Sequence, residues 1–114
     1  MLTRDQVLAN TKLQTQSVFI KEWNGEVLVS EMSGSARDEW EQSLQDRDSK
    51  GRLISPRAKL VIATVVDESG NCLFTDKDTD QIGKLSAVSL MRICDTAQKL
   101  NKLMAEDMEE AKKN

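Results

Sequence analysis

Apolar residues change their spacing several times along this chain, and each spacing predicts a different element. Leu2-Thr3-Arg4-Asp5-Gln6-Val7 has the form of a capped helix start. Thr3 can cap, Gln6 can reach back three residues, and Leu2 with Val7 can form the flanking apolar contact. Asn10 and Thr11 keep that helix short. Two runs of strand formers follow, Val18-Phe19-Ile20-Lys21-Glu22-Trp23 and Glu26-Val27-Leu28-Val29, with Asn24-Gly25 between them. Both turn residues accept positive φ, so the spacing predicts a β-hairpin over 18–29. A lone hairpin is marginal in water and must pack on helices or pair with another copy.

Ser33-Gly34-Ser35 breaks the chain. Ser35 with Asp38 reads as a capping box, and Ala36, Trp40 and Leu44 share one face of a helix predicted over 36–46. Residues 46–51 are polar and form the loop expected to be most mobile. Ser55-Pro56 is a helix start, with Ser as cap and Pro at the first helical position. The unbroken apolar run 60–66 fits a buried helix or a buried strand on periodicity alone. The start signal favours a helix over 56–66, central in the core. Asp67-Glu68-Ser69-Gly70-Asn71 is a turn, and Leu73-Phe74 a short extended anchor. Thr75 with Asp78 caps a helix over 76–84 that Gly83 ends or kinks. Ser86 opens the last helix, predicted over 87–110. Leu90, Ile93, Cys94, Ala97, Leu100, Met104 and Met108 form its apolar stripe. The charged end frays, with 111–114 as a tail. The expected fold class is α+β, mainly α-helical, with an N-terminal β-hairpin and a long amphipathic C-terminal helix.

Composition narrows the function classes. A chain of 114 residues is expected to form one domain, 1–114, burying roughly two-thirds of its unfolded surface. With 39% apolar and 31% charged residues, it is neither disordered by composition nor membrane-spanning. The run 60–66 is far too short for a membrane helix. Arg4 and Asp5 fall where the apolar region of a signal peptide would begin, so no secretory start is expected. The net charge of −3 carries no basic stripe and argues against nucleic-acid binding. The chain has no His and no Tyr, which removes the commonest general acid–base and metal ligand. Cys72 and Cys94 lack metal-ligand spacing and read as buried reduced thiols.

Candidate chemistry adds little. Asp76, Asp78 and Asp80 resemble the start of a calcium loop. That loop needs Gly at its sixth position and Glu at its twelfth, where this chain has Gln81 and Ala87. The aspartates read better as capping charges on a helix N-terminus. Asp67-Glu68 reads as a solvated turn. Trp40 reads as core, and Trp23 as core or as an anchor for a partner. No catalytic, cofactor or metal site is expected. Val88, Met91 and Leu103 lie off the apolar stripe. Either the domain wraps the last helix on two sides, or these residues form a second apolar face. Methionines at 91, 104 and 108 suit a surface that accommodates imperfectly matched partners.

Several blocks together resemble the tail assembly chaperones of long-tailed bacteriophages. They are Trp23-Asn24-Gly25-Glu26-Val27, Arg37-Asp38-Glu39-Trp40-Glu41, Arg57-Ala58-Lys59-Leu60-Val61, and residues 90–103 with Ala97 and Leu100-Asn101. The most specific is Asp67-Glu68-Ser69-Gly70-Asn71-Cys72-Leu73-Phe74-Thr75. The resemblance implies a non-enzymatic holdase of the host bacterial cytoplasm. It would bind and solubilise the tape measure protein, recruit the major tail protein and be absent from the mature virion. It also implies self-association into a homo-oligomer and a longer form made by ribosomal frameshifting. No nucleic acid and no membrane enter that picture. Val88, Met91, Leu100, Leu103 and Met104 are the expected contact residues for client or copy. The alternative reading is a tail-tube or connector subunit retained in the virion. A small transcriptional or enzyme regulator comes third.

Overall fold

The computed structural model describes residues 1–103. In chain order the elements are α1 (Arg4–Leu8), β1 (Thr15–Ile20), β2 (Gly25–Ser30), α2 (Gly34–Ser43), α3 (Pro56–Thr64), β3 (Val65–Val66), α4 (Thr79–Gly83) and α5 (Ala87–Leu100). Short 3₁₀ turns at Lys21–Trp23 and Asp76–Asp78 precede β2 and α4. The fold is α+β, with an antiparallel sheet in the order β1-β2-β3.

Alternation along the strands sets the sheet's two faces. Val18 pairs with Val27 and Gln16 with Val29, so Val18, Ile20, Val27 and Val29 share one face. Ile20 and Val29 are fully buried and join Leu90, Ile93 and Ala97 of α5 in the core. Each such fully buried side chain contributes about 1.5–3 kcal/mol relative to exposure. Helix α3 adds Ala58, Leu60 and Val61 to the same core.

The hairpin is not closed by a two-residue Asn-Gly turn. Gly25 already pairs with Ile20, and residues 21–24 make the connection. The Asn24 N–H donates to Lys21 O at 3.2 Å, which closes the 3₁₀ turn. Only Asn24 takes the left-handed conformation, at φ 49°. Trp23 therefore sits in the connection and not in a strand.

The run 60–66 is both helix and strand. Pro56 starts α3 under a Ser55 cap whose Oγ accepts from Ala58 N at 3.2 Å. The helix ends at Thr64 because Val65 and Val66 pair with Val29 and Leu28. Ser33, and not Ser35, caps α2, accepting from Ala36 N at 3.1 Å. That helix is thus shifted back from 36–46. The 76–84 segment is a 3₁₀ turn followed by α4, with the Thr75–Asp78 capping box formed. The Thr3–Gln6 box also forms, but Leu2 and Val7 remain exposed. Cys94 is buried as expected, whereas Cys72 is exposed.

Helix α5 stops at Leu100, short of the predicted 110. Lys102 N donates to Lys99 O at 3.3 Å and Leu103 N to Gln98 O at 2.8 Å. With Lys102 at φ 54°, these bonds make a Schellman cap. The expected helical stretch 104–110 and the tail 111–114 lie outside the described residues. The loop over 46–51 is tied down by Asp48. Its carboxylate accepts from Lys50 N and Arg52 N, both at 2.9 Å. Those backbone donors hold the Asp48 carboxyl below the usual carboxylate range, Arg52 first among them.

Candidate functional site: an apolar groove between three helices

Helices α2, α3 and α5 leave a groove of about 370 Å³ between them. Trp40 and Leu44 come from α2 and the residue after it, and Pro56, Arg57 and Leu60 from α3. Met91, Cys94, Asp95 and Gln98 come from α5. The spacing explains the shared lining. Trp40 and Leu44 are four apart, and Met91, Asp95 and Gln98 follow the three- and four-residue steps of one helix face. The floor is apolar, and Arg57 and Asp95 place one charge of each sign in the lining.

Trp40 packs against the core while lining the groove. Its Nε1 is buried without a hydrogen-bond partner. Cys94 Sγ lies 3.8 Å from Arg57 O. Burial pushes the Cys94 thiol up to about 11, so at neutral pH it is a neutral thiol and a poor nucleophile.

The expected contact residues separate into three groups. Val88 and Met91 lie three apart on the outer face of α5 and are 56% and 47% exposed. Met91 borders the groove, while Val88 stands beside it on the same helix face. Leu100 and Leu103 are half-buried and pack against the core. Leu103 does so through the Schellman cap, not as part of a helical stripe. Met104 lies outside the described residues. Sequence reasoning missed that Leu44 and Leu60 join Met91 in one groove. The four-residue step from Trp40 to Leu44 was visible, but no local pattern reveals which helices meet.

The hairpin connection is fixed to α5 near Val88. Arg92 Nε donates to both Glu22 carboxylate oxygens, at 2.9 and 3.1 Å, and Ser89 Oγ donates at 3.3 Å. The Arg92 guanidinium holds the Glu22 carboxyl below its ordinary value of 4.5. Trp23, next in sequence, is 41% exposed.

A second concavity, about 350 Å³, is polar and is lined by Asp46, Asp48, Asp76 and Asp80 with Lys59 and Lys77. Lys59 Nζ pairs with Asp46 at 3.0 Å. Among the described residues, no group of three or more His, Cys, Asp or Glu could hold a metal ion. Asp78 is engaged in the Thr75 capping box. Asp67 accepts from Ser69 N and Asn71 N, at 2.8 and 3.0 Å. No helix among the described residues is long and apolar enough to cross a membrane.

The family model described as "Phage tail assembly chaperone" matches residues 3–114. The solved structure of the bacteriophage HK97 tail assembly chaperone is similar, with a TM-score of 0.59 and 21% sequence identity. That match covers 82% of this chain and 89% of the other. At that identity the likeness establishes the shared fold. No curated protein matches the chain in sequence.

Proposed function

Because the chain belongs to the phage tail assembly chaperone family, we propose that it is a non-enzymatic holdase that binds and solubilises the tape measure protein. The observation that carries this reading is the apolar groove of α2, α3 and α5, with Met91 exposed at its edge and Val88 beside it. An amphipathic helix laid into an apolar groove is a standard recognition mode. A thioether at the rim adapts to successive, imperfectly matched helical segments. The flanking Arg57 and Asp95 accept clients carrying either charge.

In this reading the chaperone acts in the host bacterial cytoplasm, recruits the major tail protein, associates with its own copies and with a longer frameshifted form, and leaves before the tail matures. Family membership supports these steps together.

Co-expression with the tape measure protein tests the client role. Met91→Asp places a charge where a client's apolar face would lie. The soluble yield of the tape measure protein is expected to fall several-fold, with the chaperone's own unfolding midpoint unchanged. Wild-type yield with a folded Met91→Asp variant would remove the groove from the client site. Mass spectrometry of purified particles addresses the rival reading, a retained tail subunit, and is expected to find the chain absent.

A further inference from the structure

We propose that a second copy of this chain docks on the free edge of β1, by antiparallel β1–β1 pairing, and that the N-terminal segment of each copy lies on the other. This names the surface for the self-association in the function proposed above and rests on that part of it alone.

The edge is open by geometry. Glu31 N donates to Gln14 O at 2.8 Å, so residue 14 is directed at β2. Antiparallel residues alternate, so 16, 18 and 20 are likewise directed at β2. Thr15, Ser17 and Phe19 then turn both their N–H and C=O groups away from it. Among the described residues no strand pairs on that side, since β1 is terminal in the order β1-β2-β3. Sheet edges are commonly protected by charge, Pro, a bulge or very short length. Thr15-Gln16-Ser17-Val18-Phe19-Ile20 is six residues long, with no charge and no Pro.

The arm before the strand is tied to the end of β2 only through Gln14 among the described residues. Residues 1–14 are all exposed. Helix α1 carries a complete capping box yet buries no residue. Its five residues are far below the length at which a helix persists alone. Leu2, Val7, Leu8 and Leu13 all face solvent.

A second copy fits both features at once. Antiparallel pairing gives each outward donor on one strand an acceptor on the other, which is the self-complementarity of a twofold interface. An uncharged strand suffers no like-charge repulsion against itself. The pairing also sets residue 14 of one copy beside the Ile20 end of the other. The apolar arm then runs on past the other copy's hairpin connection. There Phe19, 56% exposed, and Trp23 supply the apolar surface it needs.

Sedimentation equilibrium of the full chain over a range of concentrations tests the proposal. The wild type is expected to be dimeric. Ser17→Pro removes one outward N–H and leaves the β1–β2 ladder intact, because Pro is tolerated where the N–H faces outward on an edge strand. It is expected to weaken association at least tenfold with unchanged circular dichroism. Leu8→Asp changes a side chain that is 59% exposed on a helix with no buried residue, so the fold is expected to persist, and it is expected to weaken association as well. A monomeric wild type overturns the proposal together with self-association. Wild-type mass for either folded variant overturns the edge assignment while leaving self-association standing. Tape measure solubility, read in parallel with Met91→Asp, reports the client role separately.

Discussion

Asn101 holds three parts of the backbone with one side chain. Its Oδ1 accepts from Met32 N at 2.6 Å, and its Nδ2 donates to Ser30 O at 3.4 Å and to Ala97 O at 2.9 Å. Arg37 Nη1 donates to Asn101 O at 3.0 Å. The end of α5 is thereby tied to the end of β2 and to α2. Asn101 is buried, so Asn101→Ala leaves the Met32 N–H and Ser30 C=O without this partner. A loss of about 1–3 kcal/mol is expected in urea unfolding. Glu22 offers a pH readout. Its folded pKa lies below 4.5 because Arg92 donates to it. A carboxyl depressed in the folded state adds stability above its ordinary pKa and loses it as pH falls through the folded value. Glu22→Gln is therefore expected to lower the thermal midpoint at neutral pH. The difference from wild type should vanish below the carboxylate range. A constant difference at every pH would mean that the ion pair is not its source.

At the scale of elements, starts were legible and stops were not. Thr3, Ser55 and Thr75 each accept a backbone N–H or form a full capping box, because a cap depends on residues three or four apart. The α5 stop uses the same local chemistry with an unsuited residue. Lys102 occupies the left-handed position of a Schellman cap, where Gly is the usual choice. Without that Gly the apolar stripe reads on through Met104 and Met108, and the predicted helix runs past Leu100, where α5 stops. A side chain with a Cβ is strained there by about 1–2 kcal/mol. Lys102→Gly is accordingly expected to stabilise the fold by roughly 1 kcal/mol, checked by the denaturation midpoint. The α2 start shows the converse limit. The spacing of Ser35 to Asp38 points to a cap at Ser35, yet Ser33 caps the helix, because both serines suit the position and only the folded backbone selects one.

At the scale of the whole molecule, the two proposed surfaces are built from different layers. No strand residue lines the groove of α2, α3 and α5, and the β1 edge is made by backbone groups of the sheet. Met91→Asp is therefore expected to leave the mass of the assembly unchanged, and Ser17→Pro to leave the groove intact. The sequence by itself determined the α+β class, the hairpin, the starts of α1, α3 and α5, and Val88 and Met91 as apolar residues off the core stripe. Those properties follow from steps of two, three or four residues. Tertiary structure alone decided the rest. It divided 60–66 between α3 and β3 because β2 lies alongside to pair with Val65 and Val66. It exposed Cys72, packed the half-buried Leu103 against the core, and brought Trp40, Leu60 and Met91 into one groove. Each of these outcomes depends on which distant segment becomes a neighbour. Burial and pairing between segments tens of residues apart are set by the packing of the whole chain, and no short-range spacing encodes them.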